Sequence, residues 1–116
     1  MDETTSRQVC EIIAGLIFAD GDLHERELAF LARLRARFGL SDAVKLIPPR
    51  RSEDALSMLR VLEPEVRKET LSLLIAAAAA DGIIHPAERI LLGAVAEELD
   101  VSEEDLDARL ARVVGR

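Results

Sequence analysis

The segments "ADGDLHERE" at residues 19–27 and "ADGIIHPAE" at residues 80–88 set down the same donor groups in the same order: Asp20, His24 and Glu27 in the first, Asp81, His85 and Glu88 in the second. A carboxylate, an imidazole and a second carboxylate in so short a stretch are groups that hold divalent cations. Carboxylate oxygens suit calcium or manganese, and a histidine nitrogen shifts the set toward zinc or another transition metal. The candidate metal ligands are Asp20, Glu27, Asp81 and Glu88. His24 and His85 rank behind them, because a histidine at a helix start also serves as a cap or an exposed side chain. The expected cofactor is a divalent ion: calcium, zinc or manganese.

The order Asp-Gly, one residue, an aliphatic, three residues and Glu also matches the second half of an EF-hand loop, where the glycine permits the bend and the glutamate binds with both oxygens. The first half is missing. Leu16 and Phe18, or Ala77 and Ala79, stand where that loop needs its opening oxygen ligands. A genuine EF-hand is therefore excluded.

Catalytic motifs are absent. The sequence contains no nucleophile motif, no HExxH helix and no glycine-rich phosphate loop. Ser6, Ser41, Ser52 and Ser102 all fall where a helix start explains them. The expectation is that the protein is not an enzyme. A small metalloenzyme, with Asp20 or Glu27 as base and His24 as ligand or acid, is the least favoured alternative.

The bulk properties narrow the setting. A net charge of −7, with no Trp or Tyr and three Phe, supplies neither the field nor the stacking platforms of a nucleic-acid binder. Arg33, Arg35, Arg37, Lys45, Arg50 and Arg51 read as a solvated helix face and loop. Cys10 is the only cysteine, which rules out an internal disulfide, and its apolar neighbours mark it as core packing. The start "MDETTSRQ" has no signal-peptide character. The apolar run "LLIAAAAA" at 73–80 falls short of the ~20 residues of a membrane span. The expected location is cytoplasmic, without direct membrane insertion.

Six helices must position the donors. Val9, Ile12, Ile13, Leu16 and Ile17 recur at helical spacing and predict a helix over 6–19 with Ser6 as cap. A second is expected over 25–38 with Leu28, Leu31, Leu34 and Phe38 on its apolar stripe, ending at Gly39. Ser41 and Asp42 begin a short turn to about Ile47, and Pro48-Pro49 opens a linker over 48–52. "SEDALSMLRVL" predicts a third helix at 52–62 capped by Ser52, and Pro64 starts a fourth running to Ala80. Small side chains at Ala76–Ala80 let helices approach closely and place this helix at the centre. Pro86 opens a fifth helix to about Leu99, and a sixth follows over 103–113, with Ser102 and Asp105 as a capping box. No segment alternates with the period of a strand.

The donor segments belong to a longer repeat. The offset that carries Asp20 to Asp81 also carries Ala19 to Ala80, Gly21 to Gly82, Leu31 to Leu92 and Ser41 to Ser102. Each copy is an apolar helix, an Asp-Gly bend and an amphipathic helix, a hairpin that cannot bury its apolar face alone. The purely structural reading assigns Gly21 and Gly82 to left-handed turn positions and has Leu23 and Ile84 plug the turns into the core. It makes His85-Pro86-Ala87-Glu88 a cap, a first-turn proline and a capping-box glutamate. The predicted architecture is an all-α, compact bundle of about six helices built from two pseudo-symmetric helical-hairpin repeats. It forms a single domain over 1–116, with repeat one at about 8–47 and repeat two at about 64–112, joined by the helix at about 52–62.

The doubled ADG-x-[LI]-H-x-x-E entering an amphipathic helix resembles the TerB-like family of bacterial tellurite-resistance-associated domains. The most characteristic stretch is "LLIAAAAADGIIHPAERILLGAVAEELDVSEEDL", and the likeness runs from about residue 8 to 112. The resemblance implies an all-helical, pseudo-twofold fold, metal binding by acidic residues of both repeats, and a link to tellurite resistance or another chemical-stress response through membrane-associated complexes. It does not imply catalysis. Carried onto this chain, the acidic positions are Asp20, Glu27, Asp81 and Glu88; His24 and His85 lie outside the family's pattern. With no transmembrane segment or J-domain in the sequence, membrane association would come through a protein partner.

The leading function is thus a non-catalytic, metal-binding TerB-like domain. The alternative is a metal-free adaptor that presents Glu97, Glu98, Asp100, Glu103, Glu104 and Asp107 as an acidic face to a basic protein partner.

Overall fold

Asp2 starts the first helix, its Oδ1 accepting the Thr5 N–H at 2.7 Å, and α1 then runs Glu3–Ile17. The computed structural model describes residues 2–21 and 24–114. Among them the chain forms six helices and no strand: after α1 come α2 (Glu25–Arg37), α3 (Ser52–Arg60), α4 (Pro64–Ala78), α5 (Pro86–Glu98) and α6 (Glu103–Val114). This is the all-α bundle of two hairpin repeats predicted by the periodicity.

The repeat is reproduced at the level of the backbone. α2 and α5 begin and end at equivalent positions, as do the last turns of α1 and α4. Both amphipathic helices finish with the same device: Leu40 N–H bonds back to the Arg35 carbonyl at 2.9 Å and Val101 N–H to the Ala96 carbonyl at 2.8 Å. Such a closure needs a left-handed residue just before the donor. Gly39 fills that place in the first copy (φ 71°) and Asp100 in the second (φ 58°).

The centre of the bundle is shared by α1 and α4: the alanine run of α4 reaches it through Ala77 and Ala78, and α1 is the more completely enclosed of the two. From Val9 to Ile17 every residue of α1 is buried, and the helix packs against α2, α3, α4 and α5. A helix apolar on all sides must be enclosed. Ala77 and Ala78 lie in the core facing it, whereas Ala76, Ala79 and Ala80 are half-buried. Cys10 is fully buried in α1, where desolvation pushes its thiol up to about 11. This accords with its reading as core.

Four local expectations are corrected. Ser6 lies inside α1 and is buried, because Asp2 caps the helix a turn earlier. Ser52 is the first residue of α3, with Arg51 at the cap position and no side-chain cap bond. Leu28 is 38% exposed; the inward positions of α2 belong to Glu27, Leu31 and Leu34. The linker at Pro48-Pro49 is packed, since a Cβ added to Gly15 would sit 2.8 Å from Pro49 Cγ. Glu11 reinforces that contact, its Oε2 accepting the Ile47 N–H at 2.8 Å. Arg35 closes the same loop from the other side by donating to the carbonyls of Ser41 and Val44, both at 2.7 Å. Leu23, expected to plug the first turn, lies outside the described residues; Ile84, its counterpart, is half-buried against the core.

Candidate metal centre

α1 and α4 each unwind through a tight turn, with Gly21 N–H bonding to the Phe18 carbonyl at 3.2 Å and Gly82 N–H to the Ala79 carbonyl at 3.0 Å. The glycines then take φ 81° and 83°, a conformation other residues adopt at a cost. These bends place Asp20 and Asp81 at the two corners. His24 and His85 follow at the cap positions of α2 and α5, and Glu27 and Glu88 sit in the first turns of those helices.

Packing of the two hairpins brings the corners together. Asp20 Oδ2 lies 3.3 Å from His24 Nε2 and 3.5 Å from His85 Nδ1. Asp81 Oδ2 lies 3.1 Å from His85 Nε2 and 3.5 Å from His24 Nδ1. The two imidazoles stack, with centroids 4.6 Å apart and planes 15° from parallel. Each repeat's imidazole therefore reaches the other repeat's aspartate. His24 Nε2 is also 3.9 Å from Glu27 Oε1, so the histidines stand between the partly exposed aspartates and the buried glutamates.

Those glutamates form the floor. Both are 0% exposed. Glu88 Oε1 accepts the His85 N–H at 3.0 Å, part of the anticipated capping box at the start of α5, and His85 Nε2 faces Asp81. Among the described residues, no backbone N–H and no side chain outside the glutamate pair donates to Glu27 Oε1, Glu27 Oε2 or Glu88 Oε2. Their polar neighbours are each other and, for Glu27, the His24 ring at 3.9 Å; a hydrogen bond between two carboxyls requires that one keep a proton. Glu27 is accordingly pushed up to about 9, first by desolvation, then by the bond to Glu88 and the negative charge of Glu88, Asp81 and Asp20.

The rim behaves differently. Burial raises the Asp81 carboxyl, but the Ile83 N–H at 3.0 Å, the His85 bond and the charge of both rings outweigh it, and Asp81 sits below its ordinary value. The bond to Asp81 raises the His85 imidazole, against an opposing contribution from desolvation. A lowered Asp81 carboxyl above and a buried glutamate pair below fit a site for positive charge.

The donor atoms meet the geometric requirement of such a site. Atoms of Asp20, His24 and His85, and again of His24, Glu27 and Asp81, lie within 4.8 Å of one another. Ligands ~2.0–2.2 Å from one ion stand roughly 3–3.5 Å apart, close to the rim distances. Three buried oxygens without a donor are the stronger sign, because a buried polar atom left unpaired costs about 1–3 kcal/mol or more. Five of the six residues singled out by spacing thus share these sets, and Glu88 lies beneath them, against Glu27 and the His85 N–H. Sequence reasoning missed the burial of Glu27 and Glu88, since a first-turn glutamate normally faces water.

The second candidate surface is partly consumed within the chain. Glu98 accepts from Arg60 at 2.6 Å, and Asp107 from Arg89 at 2.7 Å with Glu103 3.6 Å away. All six acidic residues of this face are exposed, including those paired with Arg60 and Arg89.

Residues 52–110 match the family model described as "Tellurite resistance protein TerB". The chain is also 36% identical over 105 residues to the Co-chaperone protein DjlA of Aliivibrio fischeri, an alignment covering 79% of this chain and 37% of that protein. The match thus spans little more than a third of the relative's length. No solved structure matches.

Proposed function

This chain belongs to the TerB family, and on that premise we propose that it is a non-catalytic domain that binds a divalent metal ion through Asp20, Glu27, Asp81 and Glu88, assisted by His24 and His85. The observation that carries the proposal is the floor of the cluster: two fully buried glutamates whose Glu27 Oε1, Glu27 Oε2 and Glu88 Oε2 have no donor from the surrounding chain and only each other's carboxyl for a partner. A bound cation would supply the positive charge that lets both glutamates ionise, and it would tie the two hairpins to each other. The mixed oxygen and nitrogen donors favour zinc or manganese over calcium, which takes oxygen ligands. The proposal treats residues 1–116 as one domain.

Titration of the purified protein with calcium, zinc and manganese, followed by calorimetry and melting temperature, tests the reading. Saturable binding of at least one ion, lost in the double variant Asp20→Asn with Asp81→Asn, is expected. Absence of saturable binding, or binding unchanged in that variant, rules it out.

The family description supports a role in tellurite resistance or a related chemical stress, and the co-chaperone name of the Aliivibrio relative supports action through a protein partner. A cytoplasmic domain recruited to a membrane-associated complex by that partner fits both. The exposed Glu97, Asp100 and Glu104 favour a second reading, in which an acidic face docks a basic partner without metal. Partner capture that survives a chelator and fails in high salt distinguishes this alternative.

A further inference from the structure

The two repeats are not equally covered. The offset that relates them carries Ile12 to Leu73, Gly15 to Ala76, Phe30 to Leu91, Arg33 to Ala94 and Arg37 to Glu98. It also turns the pair α1 and α5 into the pair α4 and α2, and both pairs pack in the fold. Each pair leaves a groove along its outer side.

The first groove is filled. α3 lies against both α1 and α5 and buries Ala55 and Leu59. Beneath it Ile12 is 0% and Leu91 5% exposed. In the second groove their equivalents, Leu73 and Phe30, are only half-buried. Phe30, Leu34, Leu73 and Ala76 line an open hollow of about 300 Å³, with Arg33 and Arg37 as its remaining lining residues. All six come from α2 and α4.

The filled groove shows what shape the open one accepts. α3 is a helix of nine residues that lays its apolar side between two others, the arrangement by which amphipathic helices dock into grooves. Its Leu56 and Arg60 stand beside Ala94 and Glu98, and Arg60 donates to Glu98 at 2.6 and 3.0 Å.

Charge is reversed at the open groove. Arg33 and Arg37 occupy the places of Ala94 and Glu98, one turn apart and exposed. Among the described residues neither has an ion-pair partner. Two unpaired cations beside an apolar groove, in a chain of net charge −7, select an anionic occupant. The α3 of a second copy is a poor fit, because its Arg60 would meet Arg37. An anionic bilayer is a poor fit too, since it takes up apolar side chains that project, whereas Phe30 and Leu73 are recessed.

We infer that the groove between α2 and α4 docks a short amphipathic helix of a protein partner, with apolar side chains over Phe30 and Leu73 and acidic residues one turn apart facing Arg33 and Arg37. This surface uses none of the candidate metal donors and has the opposite charge to the acidic face of α5 and α6, so it stands apart from both readings above.

The probe is a peptide of residues 51–62 in which Leu56→Glu and Arg60→Glu supply the acids and Ser57→Lys is joined to Glu53 as a lactam that holds the helix. Glu53 and Ser57 face solvent in α3, so the bridge leaves the apolar side free. The peptide is titrated into the isotope-labelled full chain and followed by amide chemical shifts. Saturable shifts centred on Phe30, Arg33, Arg37, Leu73 and Ala76 are expected. The double variant Arg33→Glu with Arg37→Glu should keep the parent's melting temperature, bind this peptide roughly tenfold more weakly, and gain affinity for the lactam peptide that retains Leu56 and Arg60. No shifts at millimolar peptide, shifts centred elsewhere, or affinity indifferent to the charge reversal overturns the inference. Self-association of the chain that the double variant abolishes would assign the groove to a second copy and overturn it as well. Sedimentation with phosphatidylglycerol vesicles that depends on the two arginines, without peptide shifts, would do the same in favour of lipid.

Discussion

A carboxyl group without solvent or a donor survives in a core only by keeping a proton or finding a cation, and Glu27 shows the first solution in the metal-free chain. Its pKa rises from the ordinary 4.5 to about 9, so between those values the folded protein holds a proton that the unfolded chain has released. Stability therefore falls as pH rises through that window. The raised His85 contributes in the same direction, its share fading as pH climbs past its folded value. The lowered Asp81 acts oppositely, and its contribution disappears as pH falls below the usual carboxylate range. The metal-free protein should melt several degrees higher at pH 5.5 than at pH 8.5, by scanning calorimetry in chelator. A flat or rising profile would contradict the protonated floor. Glu27→Gln should flatten this dependence and raise the melting temperature at pH 8.5, because the amide can donate to Glu88 at any pH. At this scale the sequence disclosed which side chains carry chemistry, since Asp20, His24 and Glu27 recur as Asp81, His85 and Glu88. The contact of each imidazole with the other repeat's aspartate was not legible, because it arises only when two distant segments pack.

Helix ends supply the next level. The αL position closing α2 is Gly39, while the equivalent position closing α5 is Asp100 at φ 58°. An aspartate tolerates this conformation but gains nothing from it, so Asp100→Gly should stabilise the protein by about 0.5–1 kcal/mol in urea unfolding. No change or a loss would mean that the carboxylate has work elsewhere. Gly15 is the converse case. With Pro49 Cγ 2.8 Å from where its Cβ would be, Gly15→Ala should cost about 1–3 kcal/mol by the same measurement despite alanine's helical preference. The helices themselves were readable from their apolar spacing, and Pro64 and Pro86 marked two starts correctly. Ser6 and Ser52 misled because a capping residue type is necessary but not sufficient: Asp2 lay further upstream and Arg51 took the second place. Leu28 misled because Glu27, next to it, claimed the inward direction.

The whole molecule couples these levels, since the two hairpins meet along α1 and again at the cluster. Any ion seated there binds the folded state and not the unfolded chain, so it should stabilise by about 2.7 kcal/mol at a hundredfold excess over Kd. Removing it with chelator should lower the melting temperature by about 10 °C for a chain of this size. Because bound metal replaces the trapped proton, affinity should also rise with pH. An unchanged melting temperature on loading and stripping would mean that the corners do not couple to folding. The repeat made the twofold plan legible in advance, and the small residues of α4 pointed to the centre, but they did not show that α1 shares it; both helices pack against four others.

The enclosure of α1 also bears on biosynthesis. Within this stretch it is made before every helix that covers it, and two of those, α4 and α5, begin only at Pro64 and Pro86. A segment whose one charged residue between Val9 and Ile17 is Glu11 must wait for its cover to be translated, and such waiting invites aggregation. Nascent chains arrested before Pro64 should be captured by holdase chaperones, and those released after Glu98 should not.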